Sequence, residues 1–240
     1  MNILIAGDSY GVPNYDYFCS GDGSHPDTHI SFLLQQRGHT VHNVSINGGC
    51  PLQTLGRIQE YMQGVTIQGM AGGNKYTPLE ITLDSHVEID LLIWFQTGLL
   101  RDLDNVQVNI ADANNHIANL AYQRLSNIVE ELDCQLAVIG GAGTVLTQIT
   151  DYVTPDYLLP DWKSEILQQD VPHVQSLGAL DKLDAYAEKY GHSDFMDALL
   201  SDHEQLQSAM TDSDLFPDDS HPGDVSHAIL MQLLNRHIKL

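Results

Sequence analysis

The sequence predicts an α/β fold, a three-layer α/β/α sandwich built on a flavodoxin-like parallel sheet. Short apolar runs alternate along the chain with segments of helical periodicity, beginning with residues 3–6 and 28–36. Strands that alternate with helices are typical of a parallel sheet covered on both faces. The 240 residues show no repeat and no linker, so one domain, 1–240, is the simplest count. We expect a site at the carboxyl ends of the strands, where the strand order reverses.

The individual elements follow from local patterns. Apolar or alternating runs predict four strands, at 3–6, 40–46, 89–95 and 136–139. Apolar residues at helical spacing predict four helices, at 28–36, 52–62, 106–132 and 225–238. Pro26 suits the first turn of the first helix, and Gly38 is placed to end it.

Two longer segments are less regular. Residues 63–89, which include Gly72-Gly73-Asn74, are predicted as a long connection without an assigned structure. Residues 144–213 are rich in Asp, Gln and Leu and are predicted to be helical, with a Pro-punctuated stretch at 155–172. Because specificity often resides in insertions on a rigid scaffold, we expect this second segment to supply a lid or substrate wall.

The charge of the chain excludes several partners. The chain contains 10 Lys and Arg residues and 32 Asp and Glu residues, which gives a formal net charge of −22. Such a surface repels the phosphates of nucleic acids and anionic lipid headgroups, so we expect neither as a partner. No apolar run approaches the roughly 20 residues that span a bilayer. The first residues carry no basic region or cleavage motif, which predicts a cytoplasmic protein.

The first candidate for chemistry is the segment Gly7-Asp8-Ser9-Tyr10-Gly11, directly after the first predicted strand. A serine at a strand end is held at the carboxyl edge of the sheet, where its hydroxyl is accessible. A nucleophilic serine needs that exposure and a base to accept its proton. Alternatively, the segment is only a turn, since Gly, Asp and Ser are common turn residues.

The second candidate is the segment Phe216–Gly223, which leads into the last predicted helix. Asp218 precedes His221 by three residues, so its carboxylate can reach the Nδ1 atom of that imidazole. Such a contact fixes the tautomer and stabilises the imidazolium that forms when the base takes a proton. Alternatively, the segment is a Pro- and Asp-rich turn that caps the helix.

Together these segments resemble the GDSL/SGNH hydrolases, through Gly7-Asp8-Ser9 and through Asp218-x-x-His221-Pro222. Asn43 followed by Gly48 resembles the second block of that family, and His227 a histidine that often opens its last helix. The resemblance implies a serine esterase without a cofactor, acting on a small or carbohydrate-linked ester such as an O-acetyl group. Ser9 would be the nucleophile, His221 the general base and Asp218 the residue that orients it. The backbone N–H groups of Ser9 and Gly48 would form the oxyanion hole.

The third block departs from the family, which usually carries Gly-x-Asn-Asp after the third strand. Here the chain reads Gln96-Thr97-Gly98-Leu99-Leu100-Arg101, and no asparagine is present. We expect Gln96 to supply the missing amide donor, ahead of Thr97 and Arg101. Alternatively, Gln96 only satisfies backbone groups at the strand end.

Two other functions are compatible with the sequence. The missing asparagine favours an SGNH-fold binding or assembly protein with weak or lost catalysis. A metal-dependent phosphoesterase would use an acid and histidine cluster near the carboxyl terminus: Asp218, Asp219, His221, Asp224 and His227. The net charge disfavours it. His25 and His29 have metal-ligand spacing without a third ligand, so we predict surface histidines and no metal site.

Overall fold

The computed structural model describes most of the chain, and it divides that chain into two compact units. The first contains Met1–Val12, Gly38–Ala71 and Lys75–Trp162, and the second contains Pro13–Arg37, Gly72–Asn74 and Lys163–Leu240. The described residues are 1–8, 10–12, 29–46, 48–70, 78–81, 87–96, 98, 110–140, 148–162, 166, 179–193, 197–198, 201, 203–210, 215, 222–238 and 240.

Seven strands are described: β1 (Asn2–Gly7), β2 (Thr40–Asn43), β3 (Ile67–Met70), β4 (Pro78–Ile81), β5 (Leu91–Gln96), β6 (Gln135–Gly140) and β7 (Tyr157–Leu159). Five of them form one sheet in the order β2-β1-β5-β6-β7, and all its neighbours are parallel. If these five strands are numbered 1 to 5 in chain order, their order in the sheet is 2-1-3-4-5, which is the flavodoxin-like order. The strand order therefore reverses between β1 and β5. The predicted α/β fold class is confirmed.

Six α-helices are described: α1 (Ile30–Gln36), α2 (Pro51–Met62), α3 (Ile110–Leu132), α4 (Ala179–Tyr190), α5 (His203–Ala209) and α6 (Asp224–Ile238). α2 begins with a proline in its first turn, directly after the extended Cys50, because proline suits a position that needs no N–H donor. α1 begins at His29, whose Nδ1 atom accepts the Ser31 N–H at 3.1 Å. Among the helices in the described ranges, none is long and apolar enough to cross a membrane.

The core of the first unit lies between one face of its sheet and two helices. Leu4, Leu92, Trp94 and Val138 alternate with residues of the other face and belong to one buried apolar cluster. α2 and α3 pack against each other over this cluster. The Trp94 indole N–H also donates to Thr54 Oγ1 at 3.2 Å, which ties β5 to the start of α2. Full burial of each large apolar side chain contributes about 1.5–3 kcal/mol.

Both faces of the central strands are buried, since every residue of β5 is inaccessible. This explains why the strand is a continuous apolar run instead of an alternating one. On the face opposite Trp94, Phe95 packs against Trp162 at 5.6 Å between ring centroids, and Tyr10 lies 6.0 Å from Trp162. In the second unit, α6 packs against both α1 and α5.

The four predicted strands and four predicted helices are confirmed, with ends shifted by a few residues. The second predicted strand pairs only as far as Asn43, although Ile46 N–H still donates to Gly7 O at 2.8 Å. The edge strand β7 (Tyr157–Leu159) lies in the Pro-punctuated stretch 155–172, where the sequence indicated an interruption without predicting a strand. Within the connection 63–89, β3 and β4 pair as an antiparallel hairpin.

Candidate active site

Of the candidate site residues, the structure describes some directly and, for the others, the residues on either side of them. Gly48 and Gln96 are described, whereas Ser9, Asp218 and His221 lie outside the described residues. Thr97, Arg101, His25 and Asp219 also lie outside them. The chain on either side of Ser9 and of the Asp218–His221 segment is described, so the framework that carries these residues can be examined.

The turn after β1 is closed by two hydrogen bonds to Asp8. Its carbonyl accepts the Gly11 N–H at 3.0 Å, and its Oδ1 atom accepts the Tyr10 N–H at 3.1 Å. A main-chain bond of this kind, supported by an aspartate side chain, is characteristic of a tight turn. Asp8 is fully buried. The turn is therefore fixed to the end of the strand by a residue inside the protein.

Glycine is required at residue 7 because β1 and β5 approach closely there. The backbone of Gly7 has φ +155°, and a Cβ at this position would lie 2.5 Å from the Cβ of Phe95. Gly11 is similarly enclosed, since a Cβ there would lie 3.0 Å from Phe95 Cδ2 and would also meet the Ser45 hydroxyl. The segment on which Ser9 lies thus begins and ends at glycines in tight contact with β5 or its neighbours.

A second turn lies at the same edge of the sheet, after β2. The Ile46 N–H donates to Gly7 O at 2.8 Å, and the Gly49 N–H donates to Ile46 O at 2.9 Å. Gly48 is exposed and has a left-handed backbone, with φ +70°. A Cβ added to Gly48 would have no described atom within 4 Å. Among the described residues, no acceptor is bonded to the Gly48 N–H. A backbone donor on the open side of a turn can bind an anion.

One side chain joins the two turns. Asn43 is 8% exposed, and its Nδ2 atom donates to Gly11 O at 2.7 Å. Its Oδ1 atom accepts the Ser45 N–H at 3.0 Å. The amide thus connects the end of the first turn to the chain that leads into the second. The sequence argument used Asn43 only as a marker of the second block and did not assign it a role.

Gln96 is the last residue of β5 and is 1% exposed. Its Nε2 atom donates to the Tyr122 hydroxyl of α3 at 3.0 Å. Burial raises the pKa of Tyr122, against a smaller lowering by the bond to Gln96, so the phenol keeps its proton at neutral pH. The Tyr122 hydroxyl also lies 3.4 Å from Gln96 Oε1, to which it can donate, so both polar atoms of the amide lie beside Tyr122. The sequence analysis did not identify Tyr122 as a partner of Gln96. The available signal was its position on the inward face of the helix predicted at 106–132.

In the second unit, one carbonyl closes the base of the segment that carries Asp218 and His221. Leu215 O accepts the Gly223 N–H at 2.7 Å and the Ser226 hydroxyl at 2.6 Å. Leu215 is fully buried. The residues on either side of the segment, Leu215 and Gly223, are therefore bonded to each other immediately before α6.

Two histidines pack together near this point. The rings of His29 and His227 have centroids 4.4 Å apart, and both residues are buried. The prediction that His29 lies at the surface was wrong, because its ring caps α1 from inside the fold. Burial lowers the pKa of His227 well below its usual range, and the neighbouring His29 lowers it further. Within the described part of the chain, no three His, Cys, Asp or Glu side chains form a group able to hold a metal ion.

Comparison with solved structures gives similar chains of low sequence identity. A protein from Slackia heliotrinireducens assigned to the SGNH hydrolases is 12% identical, with 99% of this chain and 98% of that chain covered and a TM-score of 0.43. The psychrotrophic esterase EstA of a Pseudoalteromonas species is 13% identical, with 99% and 96% covered and a TM-score of 0.43. A carbohydrate esterase is 10% identical, with 99% and 68% covered and a TM-score of 0.45. These neighbours are SGNH hydrolases and esterases.

No protein-family model matches the sequence, and no curated protein matches it significantly.

Proposed function

We propose that this protein is a serine esterase of the SGNH type, acting on a small or carbohydrate-linked ester such as an O-acetyl group. The observation that carries the proposal is the Gly48 N–H, which has no bonded acceptor among the described residues and lies in a turn anchored to the end of β1. An oxyanion hole needs a donor held rigidly and left open in the resting protein. The motif Gly7-Asp8-Ser9 supplies a nucleophile on the turn beside it.

In the proposed reaction, Ser9 Oγ attacks the acyl carbon while His221 accepts the hydroxyl proton. Asp218 holds the imidazole in the tautomer that can accept it and stabilises the resulting imidazolium. The tetrahedral oxyanion is bound by the N–H groups of Ser9 and Gly48. The C–O bond then breaks, His221 returns the proton to the leaving alcohol, and water hydrolyses the acyl-serine by the same two steps in reverse order.

Gln96 is the proposed third donor. Its amide carries two N–H groups, and the bond to Tyr122 occupies one of them. The other is the group that would contact the oxyanion. In this arrangement Tyr122 holds the amide plane, so that the donor is oriented before substrate arrives, as transition-state stabilisation requires.

The same contact supports a second candidate, an SGNH-fold binding protein with weak or lost catalysis. If the Gln96 amide serves only to satisfy Tyr122, the oxyanion hole has two backbone donors and no side-chain donor. Loss of one donor typically lowers kcat by about 10²–10³. Such a protein would still bind an ester in the same place.

The two candidates are separated by labelling with a fluorophosphonate probe, which reacts with activated serines. We expect the wild-type protein to be labelled and the Ser9→Ala variant to remain unlabelled. A panel of acyl esters should show turnover that depends on Ser9 and resists a chelator. Absence of labelling in the wild-type protein would favour the binding protein, and chelator-sensitive turnover in Ser9→Ala would favour the metal-dependent phosphoesterase.

A further inference from the structure

The Asn43 side chain bonds to the first turn of the proposed oxyanion hole and to the chain that leads into the second turn. Its amide group is buried, and each end makes a different kind of hydrogen bond: Nδ2 donates to Gly11 O at 2.7 Å, and Oδ1 accepts the Ser45 N–H at 3.0 Å. Gly11 ends the turn that contains residue 9. Ser45 begins the stretch that runs to Gly48.

The other described backbone bonds in this region hold the two turns separately. Backbone bonds from Val44 and Ile46 fix the second stretch to Ile5 and Gly7 of β1, at 2.8 Å each. Asp8 closes the first turn on itself. Within the described residues, the hydrogen bond that joins Gly11 O to β2 comes from the Asn43 amide.

No other residue can make both bonds with the same shape. Asparagine offers a donor and an acceptor on one short planar group, whereas aspartate offers only acceptors when ionised. Glutamine is longer by one methylene, which a site 8% exposed does not accommodate easily. The two bonds therefore define the residue type, and burial makes each unpaired partner costly.

We propose that Asn43 is a positioning residue that sets the separation of the Ser9 and Gly48 N–H groups and thereby the fit of the oxyanion hole to the transition state. This inference rests on the proposed function. The N–H groups of the oxyanion hole stabilise negative charge that develops on the substrate oxygen only in the transition state. Substitution of Asn43 should therefore lower kcat and leave KM nearly unchanged. A displacement of about 1 Å in such a site can cost about 10² in rate.

The test compares two variants of Asn43 that break different bonds. Asn43→Asp keeps an acceptor for the Ser45 N–H and removes the donor to Gly11, whereas Asn43→Ala removes both. Asn2→Asp is the matched control, since Asn2 Nδ2 also donates to a backbone carbonyl, that of Glu88 at 2.9 Å, at the opposite end of β1. For each protein, kcat and KM on an acetyl ester, the rate of fluorophosphonate labelling and the Tm are measured.

We expect both Asn43 variants to lower kcat and the labelling rate by about tenfold to a hundredfold, with KM within about twofold. Asn2→Asp should retain the wild-type kcat. Amide hydrogen exchange provides a readout that needs no catalysis: the Ser45 N–H should exchange faster in Asn43→Ala and stay protected in Asn43→Asp. If Asn43→Asp does not fold, Asn43→Ala alone gives the comparison with Asn2→Asp.

Two failures are distinguishable. If the wild-type protein shows no turnover or labelling that depends on Ser9, the proposed function is overturned, and the catalytic role of Asn43 with it. If the wild-type protein is active and the Asn43 variants retain its kcat, only the role of Asn43 is overturned. A lower Tm with unchanged kcat in the folded variants is the same outcome, because it is the result expected of a merely structural residue.

Discussion

The two ends of the chain hold their candidate residues in different ways. The turn after β1 is built into the sheet: it is closed by buried Asp8, enclosed by Phe95, and bonded through Asn43 to the chain after β2. The segment that carries Asp218 and His221 is described at its base, where Leu215 O accepts the Gly223 N–H and the Ser226 hydroxyl. The difference teaches that the described frame around the proposed nucleophile is built from several parts of the sheet, whereas the described base of the segment with the proposed acid–base pair is one buried carbonyl.

This contrast has a physical reason. An oxyanion hole works only if its donors are already in place, because reorganising them during the reaction costs the energy that they would supply. A histidine that accepts and returns a proton tolerates looser geometry in the resting protein. We therefore expect substitutions on the sheet side to change kcat, and substitutions at the base of the segment with the acid–base pair to change stability first.

The largest effect tests the nucleophile itself. Ser9→Ala should lower kcat by at least about 10⁴, because removal of a catalytic serine eliminates the covalent route. Turnover of an acyl ester under saturating conditions measures it. Ser45→Ala is the matched control at the same edge: Ser45 is 2% exposed, and its hydroxyl has no bonded partner in the described part of the chain. Equal losses in both variants would contradict the assignment of Ser9.

The next effect decides the role of Gln96. Gln96→Ala should lower kcat by about 10²–10³, the usual cost of one oxyanion donor. Tyr122→Phe also breaks the bond between the two residues but keeps the amide, so we expect a loss of about tenfold or less in kcat. Steady-state kinetics on both variants give the comparison. Similar kcat values for the two would mean that Gln96 is a structural partner of Tyr122.

The buried histidine pair predicts a pH dependence of stability. The folded pKa of His227 lies well below its ordinary value of 6.5, first because of burial and second because of His29. Below pH 6.5 the unfolded chain therefore binds a proton that the folded protein does not. The free energy of unfolding should fall as the pH is lowered, by about 1.4 kcal/mol per pH unit.

His227→Gln should flatten this dependence between about pH 6.5 and 5, as measured by denaturant unfolding at several pH values. His237→Asn, at an exposed position of the same helix, is the control and should keep the wild-type slope. A slope unchanged in His227→Gln would show that other groups cause the acid sensitivity.

The smallest effect concerns the base of the segment between Leu215 and Gly223. Ser226→Ala removes the hydroxyl bond to Leu215 O and should lower the free energy of unfolding by about 1 kcal/mol. Ser208→Ala is the matched control, since Ser208 Oγ donates to Glu204 O at 2.8 Å on the exposed side of α5. We expect the control to cost less than Ser226→Ala. A fall in kcat of Ser226→Ala without loss of stability would mean that the base of this segment is part of the catalytic framework.

The sequence was sufficient for the features that depend on local patterns. The apolar run of β5 and the glycine that ends β1 predicted buried strands that end at one edge, and the run Asn47-Gly48-Gly49 predicted the second turn. β7 could not be predicted, because three residues at the edge of a sheet are too short to show a period. The contact of Gln96 with Tyr122 joins residues 26 apart, and periodicity identifies an inward-facing residue without naming its partner.

The packing around Gly7 and Gly11 also constrains how this protein could be engineered. A methyl group would collide with Phe95 at residue 7 and with the Ser45 hydroxyl at residue 11, so a mutagenesis library aimed at new ester specificity should leave both unchanged. Gly48 has no described atom within 4 Å of an added Cβ, but its left-handed backbone angle would be strained by a side chain, so such a library should keep this glycine too.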